Sequence, residues 1–325
     1  MRAIIPVAGI GSRLKPHTFS TPKVLLNVGG KPIISHIIDK LLDEGINKAT
    51  FVIGHLGEMI EEYIQNEYPQ LNSDFIEQKN KEGLGHAIYT AIPSFDDKEI
   101  FIILGDTIFD VDLKTVFKTN YSSLGVKKVD DPRRFGVAVI EDGFVKKLVE
   151  KPQDSVSNLA LVGLYYIADS GTLKKGLNEL VEKDIRTKGE LQLTDALQIM
   201  INNGEKFTTF PVDGWYDCGK PETLLSTNKF LLEQKSSSGN FENVIINEPV
   251  FIADNAKVEN SVIGPYTTLD KNCVVKDSII KNSIVGSKAI VTKTLLENSI
   301  IGNNSIVRGT YKRLNSGDSS EIDFY

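Results

Sequence analysis

A glycine loop followed by an arginine and a lysine is the feature of this chain best suited to chemistry. Residues 7–18 read Val-Ala-Gly-Ile-Gly-Ser-Arg-Leu-Lys-Pro-His-Thr, and Thr21-Pro22-Lys23 comes shortly after. Along Ala8, Gly9, Gly11 and Ser12 the backbone N–H groups can close on phosphate oxygens with little Cβ interference. Arg13 and Lys23 supply the charge. Two common phosphate loops are excluded. A dinucleotide fingerprint needs a third glycine where Leu14 stands and an acid about 20 residues on, where this chain has Gly29-Gly30-Lys31. The Gly-Lys-Ser/Thr run of a P-loop is absent. With a net charge of −6, any phosphate chemistry here has to rely on a few placed cations and on a metal.

Such a loop needs a strand leading into it, and the first part of the chain provides one. Residues 3–7 read as a buried strand. Ile33, Ile34, Ile37, Ile38, Leu41 and Leu42 fall at the spacing of an amphipathic helix over 32–44, begun by a proline. Strands are expected at 49–53, 75–77 and 100–104, with helices at 57–68 and 86–91 between them. This βαβ rhythm implies an α/β domain with a mostly parallel sheet. Ligands in such folds sit beyond the carboxyl ends of the strands, which singles out the loops 9–16 and 105–108. A more mixed stretch follows, with strands at 136–140 and 161–167 and helices at 172–182, 194–203 and 222–233. Residues 1–233 are expected to form one domain, joined by a linker over 234–249 to a second.

From Val250 onward the pattern changes. Ile252, Val258, Ile263, Leu269, Val274, Ile279, Ile284, Ile290, Leu295, Ile300 and Ile306 recur every five or six positions. The phrase Ser-Val-Ile-Gly at 261–264 returns as Ser-Ile-Val-Gly at 283–286 and Ser-Ile-Ile-Gly at 299–302. The period predicts a small left-handed parallel β-helix of hexapeptide repeats over 250–309, in roughly three coils. Residues 310–325 read as a polar tail.

Taken together, the motifs resemble the sugar-1-phosphate nucleotidyltransferases, also called nucleotide-sugar pyrophosphorylases. The family's usual Gly-Gly-x-Gly-Thr-Arg-Leu is matched except at Ile10, which removes one glycine, and Ser12, which keeps the hydroxyl. The other motifs follow in the family's order. They are Gln78 with Glu82-Gly-Leu-Gly-His-Ala87, Leu104-Gly-Asp-Thr-Ile108, Phe135-Gly-Val-Ala-Val139 and Leu148-Val-Glu-Lys-Pro152. Val162-Gly-Leu-Tyr-Tyr166, Gly189-Glu-Leu-Gln-Leu-Thr-Asp195 and Trp215-Tyr-Asp-Cys-Gly219 complete the set.

The resemblance implies a Rossmann-like nucleotidyltransferase domain that joins an NTP to a sugar 1-phosphate and releases pyrophosphate. It implies catalytic roles for Arg13, Lys23 and Lys151, and Mg²⁺ held by Asp106 and Asp217. It assigns a sugar pocket to Gly136, Glu150, Gly163, Tyr165 and Glu190. Base reading falls to Gln78 and Gly83. A glutamine amide can pair with the imide edge of uracil or thymine, which points to dTTP or UTP. Glucose 1-phosphate is the acceptor the resemblance favours, with galactose, mannose and N-acetylglucosamine 1-phosphates left open. Glu150 and Lys151 carry a geometric demand: neighbours on a strand point to opposite faces, so both reaching one ligand requires a bend there.

Other readings are weighed beside this one. In this family a β-helix can carry an acetyltransferase with a histidine base. His17, His36, His55 and His86 all precede it, so the β-helix is expected to serve oligomerisation or regulation, giving a homo-oligomer. A silent nucleotide-sugar sensor is the rival, and GTP with mannose 1-phosphate the alternative substrate pair. The acidic balance argues against nucleic acid as a partner. No apolar run approaches the roughly 18 residues of a membrane span, and the N-terminal apolar stretch is too short for a signal segment, so a cytoplasmic protein is expected. Cys218 and Cys273 are expected to stay reduced.

Overall fold

The computed structural model describes residues 1–154, 156–237, 239, 241–309 and 314–323. Ser238 and Asn240 of the expected linker, and residues 310–313 and 324–325 of the expected tail, lie outside the described residues. The chain divides into two compact units: Met1–Gly9 with Ile37–Trp215, and Ile10–His36 with Tyr216–Tyr325. The division falls inside the glycine loop, most of which groups with the C-terminal part of the chain.

In the first unit, Arg2–Pro6 pairs in parallel with Lys48–Ile53 on one side and Ile100–Ile103 on the other. These strands are central because their residues are apolar without alternation: Ala3, Ile4, Ile5 and all of Ile100–Ile103 are fully buried. Asn72–Glu77 extends the parallel side as an edge. Beyond Ile100–Ile103 the sheet turns antiparallel through Leu159–Ile167, Gly136–Glu141 and Phe144–Glu150. Ser122–Lys128 pairs with Leu159–Ile167 and takes Phe207–Pro211 beside it. The helices Leu84–Thr90, Ser170–Glu182 and Leu193–Asn202 pack together over a core that includes Ile88, Leu177, Leu180, Leu197 and Met200. Strand order reverses at Arg2–Pro6, and in open α/β sheets the carboxyl end of the strand at such a reversal is where ligands bind. The Gly105 N–H donates to the Pro6 carbonyl there at 3.4 Å, pinning the Asp106 turn beside the start of the glycine loop.

The second unit carries a left-handed parallel β-helix of three stacked sheets, with four, five and five strands among the described residues. It is longer than the three coils expected. Strands begin at Val244–Ile246, inside the segment read as linker, and continue through Asn315–Ser316 and Glu321–Asp323, inside the segment read as tail. Ser316 is buried and Ile322 pairs with buried Val307, so two inward positions suffice for pairing in a stretch whose polar composition suggested none.

The repeated serines have a structural reason. Ser261 Oγ accepts from the Ser278 N–H at 3.1 Å, Ser278 Oγ from the Thr294 N–H at 3.2 Å, and Ser283 Oγ from the Ser299 N–H at 3.1 Å. Each hydroxyl satisfies a backbone donor 16 or 17 residues on, at a buried corner where water cannot do so. Corners at Asn260, Asn272, Asp277, Asn282, Asn298 and Asn304 take positive φ, which Asn and Asp tolerate best among residues with side chains. The inward apolar positions shift by one from residue 274 onward. Val275, Ile280, Val285, Val291, Leu296, Ile301 and Val307 fill the core, while Ile279 and Leu295 face outward. Paired apolar residues at each site hid that choice from the sequence. Both cysteines are buried and no disulfide joins them, and burial pushes the Cys273 thiol up to about 12. Among the described residues, no helix is long and apolar enough to cross a membrane.

Candidate active site

The glycine loop is a tight 3-10 turn over Ser12–Leu14, entered through Gly11 at φ +67°. A Cβ on Gly11 would lie 2.9 Å from the Thr18 methyl and 3.1 Å from Lys23 Cβ, so only glycine lets these residues close over it. The Thr18 hydroxyl donates to the Gly11 carbonyl at 2.8 Å, as does the Leu14 N–H at 2.9 Å. Lys23 is thereby stacked against the loop, while Ser12 and Arg13 stay exposed at its rim. Ile10, where the family has glycine, is 44% exposed and displaces nothing. Gly219 explains the end of the Trp215–Gly219 motif: a Cβ there would sit 2.8 Å from Asp217 Oδ1 and 2.9 Å from Arg13 Nη2. Arg13 and Asp217, far apart in sequence, therefore converge over one bare glycine.

Ala8 and Gly9 belong to the first unit. Ala8 packs where a Cβ on Gly54 would be, 3.0 Å away, and Gly9 is exposed with open space around it. Asp106 follows the buried strand Ile100–Ile103 and is half-buried. Its turn is shaped by Gly163, which sits at φ +84° in a bulge of Leu159–Ile167. The Gly163 carbonyl accepts from the Leu104 N–H at 3.0 Å, and the Leu104 side chain occupies the space of the missing Cβ. Asp106 and Asp217 fall in different units. Among the described residues, no cluster of three or more His, Cys, Asp or Glu could hold a metal. One or two carboxylates with phosphate oxygens as further ligands is, however, the donor set that suits magnesium.

Gln78 is buried, and its amide nitrogen donates to the Gly83 carbonyl at 3.2 Å and lies 3.1 Å from His86 Nδ1. Gly83 adopts φ +114°, and a Cβ on it would lie 2.6 Å from the Leu191 carbonyl. Two backbone hydrogen bonds zip this loop to the Gly189–Asp195 motif, from Leu191 N–H to the Glu82 carbonyl at 2.7 Å and from Gly85 N–H to the Leu191 carbonyl at 2.8 Å. Arg186 adds an ion pair to Glu82 and holds that carboxyl below its usual range. Glu190 is exposed beside Gly83 and accepts from Gln192 Nε2 at 3.0 Å.

The bend that Glu150 and Lys151 require is present. The strand Phe144–Glu150 ends at Glu150, Lys151 takes φ +44°, and its Nζ comes within 3.5 Å of Glu150 Oε1. The Thr194 hydroxyl donates to Glu150 Oε2 at 2.6 Å, and a Cβ on Gly136 would lie 2.9 Å from that same oxygen. Thr194, rather than Glu190, is thus the side chain of its motif that meets Glu150; only their separation in sequence concealed this. Burial, and next the Glu150 charge, push the Tyr165 phenol up, and Tyr165 belongs to the core cluster. Burial likewise raises the Asp195 carboxyl.

A family model described as nucleotidyl transferase matches residues 2–234, and one described as GlmU-like, C-terminal hexapeptide, matches residues 226–313. A bifunctional protein GlmU from Methanocaldococcus jannaschii is 37% identical over 311 residues, covering 88% of this chain and 73% of that protein. The UTP–glucose-1-phosphate uridylyltransferase AglF of Haloferax volcanii is 31% identical over 247 residues, 73% of this chain and 99% of its own length. A glucose-1-phosphate thymidylyltransferase of Streptomyces antibioticus is 27% identical over 321 residues, 90% of this chain and 88% of that one. Among solved structures, a putative glucose-1-phosphate thymidylyltransferase from Bacillus anthracis in complex with a sucrose matches with TM-score 0.61 at 27% identity, covering 74% of this chain and 98% of that one. A UDP-glucose pyrophosphorylase complexed with UDP-glucose shares the fold with TM-score 0.62 at 24% identity, covering 72% and 99%.

Proposed function

This chain belongs to the nucleotidyl transferase family and is a sugar-1-phosphate nucleotidyltransferase with a GlmU-like hexapeptide domain, and on that premise we propose that it transfers the nucleotidyl group of dTTP or UTP to glucose 1-phosphate. The observation that carries the donor reading is Gln78. With its amide nitrogen committed to Gly83, Oε1 is the atom that meets a base. An acceptor there suits the imide N–H of uracil and thymine, and finds no donor on N3 of cytosine. The uridylyl- and thymidylyltransferases among the relatives support the same pair of donors and glucose 1-phosphate as the acceptor.

In the reaction, an oxygen of the sugar phosphate bonds to the α-phosphorus, and the bond from that phosphorus to the bridging oxygen breaks to release pyrophosphate. The nucleophile is already an anion, so no general base is needed; the task is to bring two polyanions together. Backbone N–H groups along residues 8–12 and the Arg13 guanidinium take the β- and γ-phosphates, and Lys23 takes the α-phosphate. Lys151 binds the sugar phosphate, while Glu150, oriented by Thr194 and Lys151, accepts from sugar hydroxyls. Gly136 leaves room beside that carboxylate. Asp106 and Asp217 would hold Mg²⁺, whose charge would offset that of the NTP phosphates. Positioning and charge neutralisation are the usual means of catalysing such transfers.

The test is pyrophosphate release from glucose 1-phosphate with dTTP, UTP, GTP, ATP and CTP in parallel. Turnover with dTTP or UTP, reduced about tenfold or more in Gln78→Leu through loss of a buried hydrogen bond, is the expected outcome. Turnover confined to GTP, ATP or CTP would overturn the donor assignment and leave the reaction class standing.

A further inference from the structure

We propose that the C-terminal part of the chain positions the phosphate loop. Asp318 and Asn315 in the last coil hold its 16–21 segment, and Asn228 holds its far end at Gly29. The consequence for NTP binding rests on the assignment of Arg13 and Lys23 above.

Residues 10–36 have little means of holding themselves. Between Ile10 and Leu26 they form three 3-10 turns of three residues each, Ser12–Leu14, His17–Phe19 and Lys23–Leu25. Turns this short are not stable alone. What fixes them is a set of contacts to the end of the β-helix. Asp318 Oδ2 accepts from the Thr21 hydroxyl at 2.7 Å and from the Ser20 hydroxyl, while Oδ1 accepts from the Asn303 N–H at 2.8 Å. One carboxylate thus ties two loop residues to the coil, and hydrogen bonds to an ionised acceptor are about twice as strong as neutral ones. His17 is 2% exposed, and its Nε2 donates to Asn315 Oδ1. Gly317 lets Pro16 close in, since a Cβ on it would lie 2.8 Å from Pro16 Cβ.

The other end is held as firmly. Asn228 is completely buried in the helix Pro221–Gln234. Its Oδ1 accepts from the Gly29 N–H at 2.9 Å and from the Thr268 hydroxyl at 2.6 Å, and its Nδ2 donates to the Tyr266 carbonyl at 3.2 Å. Gly30 lies under the Phe251 ring, 2.5 Å from where its Cβ would be. Lys23 follows Thr21 by two residues and Arg13 precedes Pro16 by three, with the Lys23 stem stacked on Gly11. A shift of residues 16–21 therefore moves both cations. Asp318, Asn315 and Asn228 are positioning residues; none is assigned to touch substrate.

The experiment uses the full chain with Asp318→Ala, Asp318→Asn and, as a control on the same β-helix, Glu297→Ala, whose exposed carboxylate pairs with Lys281 at 3.2 Å. Amide exchange over residues 10–25 reads the positioning directly, whatever the reaction. Steady-state kinetics with the preferred donor read its consequence. Asp318→Ala is expected to speed exchange in that segment and raise the NTP KM about tenfold or more, with the sugar phosphate KM within about twofold. Asp318→Asn, which keeps an acceptor for the two hydroxyls, falls between, and Glu297→Ala matches wild type. Unchanged exchange in Asp318→Ala, or an equal effect in Glu297→Ala, overturns the proposal. Faster exchange in a protein with no turnover on any donor would instead count against the assigned function. Should Asp318→Ala not fold, Asn315→Ala carries the same two readouts.

Discussion

Gly219, Gly11, Gly83 and Gly136 each leave out a Cβ where another residue of the proposed site passes: Arg13 and Asp217, Lys23, the Glu190 segment and Glu150. In the sequence these residues are singled out by the motifs they stand in, which resemble those of the nucleotidyltransferases. The Thr194 contact to Glu150 was not legible, since it spans 44 residues and neither residue announces the other. At this scale, Arg13→Ala or Asp106→Asn is expected to lower kcat by on the order of 10²-fold or more, read by pyrophosphate release from protein with unchanged circular dichroism. Thr194→Val should act on the acceptor side, raising the sugar phosphate KM several-fold while leaving the NTP KM alone. An effect on the NTP alone would dissociate Thr194 from Glu150.

The parallel strands at 2–6, 48–53 and 100–103 are apolar enough to declare themselves, and the bend at Lys151 followed from the alternation of side chains along a strand. From Val274 on, two adjacent apolar residues compete for each inward position, and stacking on the neighbouring coil selects the second of them. Strands at 315–316 and 321–323 were missed because a coil edge recruits a polar segment through backbone pairing alone. Ser283→Ala leaves the buried Ser299 N–H without its acceptor and should destabilise the protein by about 1–3 kcal/mol in urea unfolding. A change near zero would mean that the corner relaxes or admits water.

For the whole molecule, the sequence pointed to a catalytic domain followed by an appendage, whereas the compact units cut through the glycine loop and group most of it with the β-helix. Docking of that kind depends on contacts between residues some 298 positions apart, which no local pattern encodes. It also has a pH signature. Burial pushes His17 below its usual 6.5, against the opposing pull of the Asn315 hydrogen bond and the Asp318 charge, with Asp270 lining the same cavity. Below pH 6.5 the unfolded chain then binds a proton at His17 that the folded protein does not. This contribution to stability is full above that pH and is lost as pH falls toward the depressed value. Thermal unfolding should therefore show a lower Tm at pH 5.5 than at 7.5, with a smaller difference in His17→Gln; equal differences in both proteins would assign the loss to other groups.

The central claim is that the sugar phosphate attacks the NTP, and oxygen labelling tests it most directly. Glucose 1-phosphate carrying ¹⁸O in its three non-bridging phosphate oxygens, incubated with the protein, Mg²⁺ and unlabelled dTTP or UTP, would be followed by mass spectrometry of both products. The account predicts a nucleotide sugar retaining all three labelled oxygens and an unlabelled pyrophosphate in equal amount. Label in the pyrophosphate, or release of nucleoside monophosphate with the sugar phosphate untouched, would contradict it.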